Sequence, residues 1–162
     1  MKFVIFVTTA AFFATTAAVC PTEWTPYDGS CYRFVNQYRQ RWAEADAECQ
    51  SAAPDKDSHL VVIDSEMENQ WVHDWWVSML SPLSGTGFEY IWLGYTDASS
   101  EGDFVWVTGS TSSYINWGGR QPDKGTEANC ATMVTKYAND PGKWDDGKCV
   151  AKRAYVCEYR DV

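Results

Sequence analysis

The residues of this chain that are best suited to chemistry form two oxygen-rich groups. Gln121-Pro122-Asp123 stands nine residues before Cys130, and Trp144-Asp145-Asp146 stands just before Cys149. Carboxylate and amide oxygens are ligands that a hard cation such as Ca²⁺ prefers. An ion held in this way can leave coordination positions for the hydroxyl groups of a sugar. The predicted side-chain ligands of such a calcium site are Gln121, Asp123, Glu127, Asp145 and Asp146.

Other chemistries fit these residues less well. A glycosidase needs one carboxyl group as acid and another as base or nucleophile, whereas Asp145 and Asp146 are adjacent and better used as metal ligands. The sequence contains no nucleophile motif, no glycine-rich phosphate loop and no His-Glu-x-x-His. Structural zinc is disfavoured because no Cys-x-x-Cys spacing occurs and His59 and His73 lie far from most cysteines. The sequence therefore predicts a binding protein and not an enzyme.

Length, charge and cysteine content limit the classes of protein to which this chain can belong. A chain of 162 residues with no break in composition fits one domain with a full core. Its six cysteines indicate an oxidising compartment and allow three disulfides among about fifteen pairings. The net charge of -9 argues against nucleic acid or an anionic membrane surface as partner.

The amino terminus resembles an export signal. Lys2 is followed by an apolar run from Phe3 to Phe13 and by small residues from Ala14 to Ala18. The apolar run is too short to span a membrane, so no membrane insertion is expected. We predict a signal peptide over residues 1–18, a secreted, extracellular protein and a single domain over residues 19–162.

Hydrophobic periodicity predicts two helices. The spacing of Trp42, Ala45 and Cys49 favours a helix over residues 41–53. A second helix follows the capping box of Ser65 and Glu68 and ends near Ser81-Pro82. The predicted buried stripe of the second helix is Met67, Trp71, Val72, Trp75, Trp76 and Met79.

The remaining patterns predict short strands and one long loop. A hairpin over residues 23–35 turns at Asp28-Gly29 and would be closed by Cys20 and Cys31. Further strands are predicted over residues 60–63, 90–94, 104–107, 130–134, 143–145 and 154–159. The unpatterned stretch of residues 110–129 has a length that usually indicates function or a restraint by metal or disulfide.

Several separated motifs resemble those of C-type lectin domains of the long form, over residues 20–159. The stretch of residues 60–66 resembles the family's turn into its second helix, and Ile91-Trp92-Leu93-Gly94 resembles its core strand. Residues 104–109 and 114–117 follow the family pattern, and Gln121-Pro122-Asp123 resembles its galactose-type motif. The resemblance implies an α+β fold with two helices, small antiparallel sheets, a long calcium-binding loop and the disulfides Cys20–Cys31, Cys49–Cys157 and Cys130–Cys149.

The resemblance also implies a sugar specificity. In that family the proline of the motif is cis, and the Gln-Pro-Asp order is associated with galactose and N-acetylgalactosamine. Gln121 can donate a hydrogen bond through its amide whereas the carboxylate of Asp123 can only accept, which reverses the Glu-Pro-Asn order associated with mannose. The implied sugar-binding residues are Gln121, Asp123, Glu127, Asp145 and Trp117.

The chain departs from the family pattern around this motif. Glu127 stands three residues before Cys130, where the family's glutamate usually stands two before. Asp145 replaces the asparagine of many members, so the sugar would lose about one hydrogen bond, on the order of 1 kcal/mol. Lys124-Gly125-Thr126 follows the motif where galactose-type members often carry a tryptophan, and Trp117 or Tyr137 is the proposed substitute.

A second, auxiliary Ca²⁺ site is suggested by the resemblance. Asp97 and Glu101 have a family-like spacing and would share Glu127 as a ligand. Lys124 and Asn129 stand where further acidic partners would be expected. The alternative interpretation is a solvated acidic loop.

Two functional hypotheses follow. The first is a secreted, calcium-dependent lectin that binds glycans with terminal galactose or N-acetylgalactosamine, in innate immune recognition or agglutination. One weak site per chain would require self-association for avidity, and the absence of a spare cysteine makes any homo-oligomer non-covalent. The second is a calcium-independent or weakly sugar-binding domain of the same fold that binds a protein or other surface.

Overall fold

The computed structural model describes residues 19–80, 89–135 and 142–160. The predicted signal peptide and Tyr137 lie outside these residues. The described part forms two helices and eight strands, which confirms the predicted α+β class. Neither helix in these ranges is long and apolar enough to cross a membrane.

The elements follow the predicted order with small shifts at their ends. The helices are α1 (Trp42–Ala52) and α2 (Glu66–Leu80). The strands are β1 (Thr25–Tyr27), β2 (Ser30–Gln40), β3 (His59–Leu60), β4 (Tyr90–Thr96), β5 (Val105–Trp106), β6 (Cys130–Val134), β7 (Trp144–Gly147) and β8 (Arg153–Arg160). A 3-10 turn, Gly125–Glu127, lies in the long loop before β6.

The strands form one sheet with the order β1-β2-β8-β4-β6-β7, to which β3 adds beside β8 and β5 beside β4. Strands β4 and β8 are parallel, and the other described pairs are antiparallel. Strand β7 therefore ends the main path of the sheet. One edge of β7 pairs with β6, and the long loop approaches the other edge.

Helix α2 begins with half of the predicted capping box. The backbone N–H of Glu68 donates to Ser65 Oγ at 3.1 Å, which satisfies one of the helix's first amide groups. The side chain of Glu68 accepts from the backbone N–H of Asp64 at 2.7 Å instead of that of Ser65. Its other oxygen accepts from the Tyr32 hydroxyl at 2.7 Å.

The predicted apolar stripe of α2 is partly wrong. Val72 and Trp76 are fully buried, but Met67 and Met79 are 72% and 51% exposed. Three polar residues take their place on the buried face, and they have partners there. The buried residues of the helix are Glu68, Asn69, Val72, His73, Trp76 and Leu80.

Three disulfides staple the fold in the pairing that the family resemblance implies. They join Cys20 to Cys31, Cys49 to Cys157 and Cys130 to Cys149, with Cα–Cα distances of 5.6, 5.2 and 5.3 Å. The last of them ties β6 to the chain that follows β7. The two oxygen-rich groups of the sequence are thus held near one edge of the sheet.

Candidate functional site

Two backbone hydrogen bonds join the long loop to the edge of β7. Trp144 N–H donates to Asn116 C=O at 2.9 Å, and Gly118 N–H donates to Trp144 C=O at 2.8 Å. Gln121 N–H then donates back to Gly118 C=O at 2.9 Å, which turns the loop toward the end of β7. The peptide bond between Gln121 and Pro122 is cis, as predicted.

Asp146 anchors the loop to β7. Its Oδ1 accepts from the backbone N–H of Asp123 at 3.3 Å, and its Oδ2 accepts from that of Lys124 at 2.8 Å. Both carboxylate oxygens thus bind the segment that follows the cis proline. Asp146 therefore positions the side chains of the loop as well as contributing its own charge.

The anchored loop brings three carboxylates together. Oxygen atoms of Asp123, Asp145 and Asp146 all lie within 4.8 Å of one another. Asp145 and Asp146 are only 5% and 2% exposed, whereas Asp123 is exposed. Buried carboxylates are costly unless a cation compensates them. This group of three, called here the carboxylate cluster, therefore requires a positive partner.

In this structure Lys124 is that partner. Its ammonium nitrogen lies 2.7 Å from Asp145 Oδ1, 2.9 Å from Asp146 Oδ1 and 3.2 Å from Asp123 Oδ1. It also donates to the backbone carbonyl of Asp146 at 2.9 Å. Burial disfavours the charged ammonium, but hydrogen bonds to Asp145 and Asp146 outweigh that effect and raise the pKa of Lys124 above its ordinary value. The cluster therefore binds a cation through four oxygens.

The donor set also fits calcium. Carboxylate and carbonyl oxygens are the ligands of a hard cation with six to eight coordination positions. Gln121 adds a carbonyl oxygen, Oε1, that is buried and has no hydrogen-bond partner among the described residues. A buried amide oxygen without a protein partner is rare and is typically satisfied by an ordered water or an ion. The residues that would hold calcium here are Gln121, Asp123, Asp145 and Asp146.

Glu127, the fifth predicted ligand, is placed outside the carboxylate cluster. It ends the 3-10 turn, its side chain is 74% exposed, and its Oε2 accepts from Lys148 Nζ at 3.1 Å. The turn is closed by the next residue, Ala128, whose backbone N–H donates to the Gly125 carbonyl at 2.9 Å. As a result, the side chain faces the solvent beside Lys148.

The two residues of the suggested auxiliary site lie on a loop after β4. Asp97 is buried, and its Oδ2 accepts from the backbone N–H of Gly102 at 2.9 Å. Its Oδ1 is buried without a hydrogen-bond partner in the described part of the chain. Glu101 Oε1 lies 3.6 Å from the position that a Cβ atom on Gly125 would take, so it faces the turn that carries Glu127. The structure therefore brings the two acidic segments next to each other.

Trp117 forms part of the wall behind the site. It is partly buried, and its ring centroid lies 4.9 Å from that of Phe104, 5.9 Å from that of Trp144 and 6.0 Å from that of Tyr95. Most of its surface is thus used for packing. Only the remaining exposed part could stack on a sugar.

Sequence reasoning missed the role of Lys124. In the sequence, Lys124 only interrupts the acidic pattern expected of an auxiliary site. Its pairing with carboxylates becomes visible in the structure. Its position directly after Asp123, in a chain where carboxylates outnumber cations, was the available signal. A second missed cation is Arg153, whose guanidinium stacks 4.2 Å and 4.9 Å from the ring centroids of Tyr90 and Trp92. Burial lowers the pKa of Arg153, partly offset by Tyr90 and Asp145.

Comparison with protein families gives a match to the Lectin C-type domain over residues 38–159. The chain belongs to the C-type lectin family. This membership confirms the fold predicted from the sequence motifs and a binding domain in place of an enzyme. Its known relatives include carbohydrate-binding lectins.

Individual relatives agree with this C-type lectin assignment. The chain is 33% identical over 135 residues to the alpha-N-acetylgalactosamine-specific lectin of Patiria pectinifera, covering 83% of this chain and 77% of that protein. It is 36% identical over 144 residues to echinoidin of Heliocidaris crassispina, with 85% and 93% covered. Among solved structures, the carbohydrate-recognition domain of the mouse scavenger receptor C-type lectin is 30% identical with a TM-score of 0.70, covering 89% of this chain and all of that one.

Proposed function

We propose that this C-type lectin domain binds glycans with terminal galactose or N-acetylgalactosamine through a calcium ion held at the carboxylate cluster. The observation that carries the proposal is the convergence of Asp123, Asp145 and Asp146 within 4.8 Å around a position that already holds a cation. Oε1 of Gln121, which has no hydrogen-bond partner among the described residues, supports it. The name of the Patiria pectinifera relative, an N-acetylgalactosamine-specific lectin, supports the sugar class.

Calcium would supply coordination for two neighbouring sugar hydroxyls. The chain's own residues then determine which sugar fits. The Gln121 amide can donate to one hydroxyl, and the Asp123 carboxylate accepts from another. Asp123 is the exposed member of the cluster, so it is accessible to a ligand from solvent. Glu127 is proposed as a further ligand, which requires that its carboxylate leave Lys148.

The test is retention of the refolded protein on immobilised galactose and on immobilised mannose, each with calcium and with a chelator. We expect retention on galactose that the chelator abolishes. Retention on mannose alone would contradict the proposed specificity. Lack of retention on both would contradict sugar binding.

Replacing Asp145 by asparagine is expected to strengthen galactose binding by about threefold to tenfold at saturating calcium. The asparagine amide can donate to a sugar hydroxyl, which restores a hydrogen bond of about 1 kcal/mol. The substitution also removes the negative charge from the shortest contact of Lys124, at 2.7 Å. Calorimetry with free galactose in excess calcium measures the change. Asp74→Asn, on the outer face of α2, is the matched control, and weaker binding by Asp145→Asn would refute the hydrogen-bond argument.

Asp97 and Glu101 are proposed ligands of the auxiliary calcium site. Support comes from the buried Oδ1 of Asp97, which has no partner among the described residues. The approach of Glu101 to Gly125 also brings it near the turn of Glu127. Such a site would fix the loop beside the carboxylate cluster.

We also propose that the protein is secreted and acts in innate immune recognition or agglutination. The amino-terminal pattern of residues 1–18 and the three disulfides suit an extracellular protein. A single site per chain binds weakly, so agglutination would need a non-covalent homo-oligomer. Agglutination assays on size-fractionated protein test this: a strictly monomeric protein that still agglutinates would contradict it.

A second candidate function is supported by Lys124. Its ammonium balances the charge of the carboxylate cluster from within the chain itself. The same surface could therefore bind a protein or other surface without calcium. Retention of a partner that persists in chelator would favour this function over the first.

A further inference from the structure

The side chain of Lys124 lies in the position that a metal ion would take. We propose that Lys124 is a built-in competitor of calcium, so that the ion binds only when the ammonium leaves the carboxylate cluster. The inference rests on the proposed calcium site and adds a residue that determines its affinity. Before an ion or a sugar binds, the ammonium of Lys124 occupies the carboxylate cluster.

The two cations cannot share the site because they require the same oxygens. The ammonium contacts Asp123, Asp145 and Asp146 at 3.2, 2.7 and 2.9 Å, and it donates to the Asp146 carbonyl at 2.9 Å. Calcium binds such oxygens at about 2.3–2.6 Å. A divalent ion among these atoms would strongly repel an ammonium in direct contact with them. Binding is therefore an exchange of one cation for the other.

The exchange has two opposite effects on the molecule. Without metal, Lys124 compensates two buried carboxylates and keeps the loop folded on β7. With metal, the contacts of Lys124 must be lost, so their free energy is subtracted from calcium binding. Lys124 thereby stabilises the metal-free domain and raises the calcium concentration needed for occupancy.

Methionine at position 124 keeps an unbranched side chain without the charge. We expect Lys124→Met to bind calcium at least about tenfold more tightly than the wild type, since charge-assisted hydrogen bonds are among the strongest in proteins. In chelator we expect its melting temperature to fall by about 3 °C or more. Lys152→Met removes the same charge from an exposed position outside the site and should change neither value. Calorimetric titration with calcium chloride and thermal unfolding in chelator measure both.

A second measurement uses the wild type and does not depend on how a variant folds. The ammonium of Lys124 is held by three carboxylates, so its acetylation by an N-hydroxysuccinimide ester should be slow in chelator. Calcium should release the side chain and accelerate acetylation by about fivefold or more, whereas exposed Lys152 reports the intrinsic rate. Mass spectrometry of the two peptides gives the ratio.

The outcomes separate this inference from the proposed function. Calcium binding of equal affinity in Lys124→Met and the wild type would overturn the inference and leave the calcium site standing. An acetylation rate of Lys124 that calcium does not change would also overturn it. No calcium binding by either protein would overturn both, because no exchange could then occur.

Discussion

Replacing Asp146 by alanine is expected to abolish calcium-dependent retention on galactose. The side chain has two functions that the substitution removes together. It is one of the three carboxylates of the cluster, and both its oxygens hold the backbone of Asp123 and Lys124 at 3.3 and 2.8 Å. Loss of an outer partner of a metal ligand typically costs about 10–100-fold in affinity, so loss of a ligand that also positions others should exceed about 100-fold.

The fold should survive this substitution. The loop loses two charge-assisted hydrogen bonds to backbone N–H groups and one to the Lys124 ammonium, which corresponds to at least about 3 kcal/mol of unfolding free energy. The three disulfides and the aromatic core do not depend on Asp146. Circular dichroism and thermal unfolding in chelator establish whether the fold is retained, and calcium titration measures the loss.

Two further variants make the result specific. Asp146→Asn retains the shape and one acceptor oxygen, so it should recover part of the stability but little of the calcium binding. Asp74→Asn removes one exposed carboxylate from α2 and should leave calcium binding within about twofold. Wild-type affinity for calcium in a folded Asp146→Ala protein would show that the ion binds elsewhere.

The elements of the fold could be predicted because their signals are local. The turn at Asp28-Gly29 is one example: both residues have positive φ angles, 43° and 82°, as a tight hairpin between β1 and β2 requires. The start of α2 is another, since Ser65 caps the helix three residues before Glu68. Each of these signals is complete within a few consecutive residues.

The buried face of α2 could not be predicted in the same way. Its polar residues are buried because distant segments supply partners. Asn69 donates to the Gly142 carbonyl at 3.2 Å and accepts from Trp144 Nε1 at 2.8 Å. Glu68 accepts from Tyr32, which lies on β2. Periodicity treats such residues as solvent-facing, and therefore it shifted the predicted stripe toward Met67 and Met79.

The candidate site, like the fold, could be predicted only in part. The carboxylate cluster was predicted from spacing and a family resemblance, and the structure brings its three members together. The contact of Lys124 with them depends on the direction of a long side chain, about which a sequence pattern contains no information. The exposure of Glu127 likewise depends on the 3-10 turn of residues 125–127.

Glu68 makes the stability of this domain sensitive to pH. Burial, followed by the nearby charge of Glu158, raises its pKa from 4.5 to about 7. Hydrogen bonds from Asp64 N–H and Tyr32 Oη offset part of this effect. Burial also raises the pKa of Glu158, whose carboxylate accepts from Ser30 and from Val62 N–H. Two buried acidic groups thus lie near each other, Glu68 on α2 and Glu158 on β8.

The sign of the effect follows from proton uptake. Between about pH 4.5 and 7 the folded state holds the proton of Glu68 while the unfolded state has released it. Unfolding then releases a proton, so the contribution of Glu68 to the free energy of unfolding is fully present below about pH 4.5 and is lost as pH rises through 7. One unit of pKa difference equals about 1.4 kcal/mol, so the loss attributable to Glu68 is about 3 kcal/mol above pH 7.

Glu68→Gln should remove this contribution to the pH dependence. The glutamine cannot ionise, its Oε1 can still accept from Asp64 N–H, and its amide can donate to the hydroxyl oxygen of Tyr32. The unfolding free energy of the variant minus that of the wild type is therefore expected to increase by about 2–3 kcal/mol from pH 4.5 to pH 8. Denaturant unfolding in chelator measures it without interference from metal binding.

Glu66→Gln is the matched control, because Glu66 occupies the same first turn of α2 but is exposed. Its stability difference from the wild type should vary with pH by only a few tenths of a kcal/mol, as expected for an exposed charge near a helix start. The carboxylate cluster and Lys124 are the same in all three proteins, so their titration cancels from each difference. A Glu68→Gln difference that stays constant across this range would show that the pKa of Glu68 is the same in the folded and unfolded states, so that its hydrogen bonds cancel the effect of its burial.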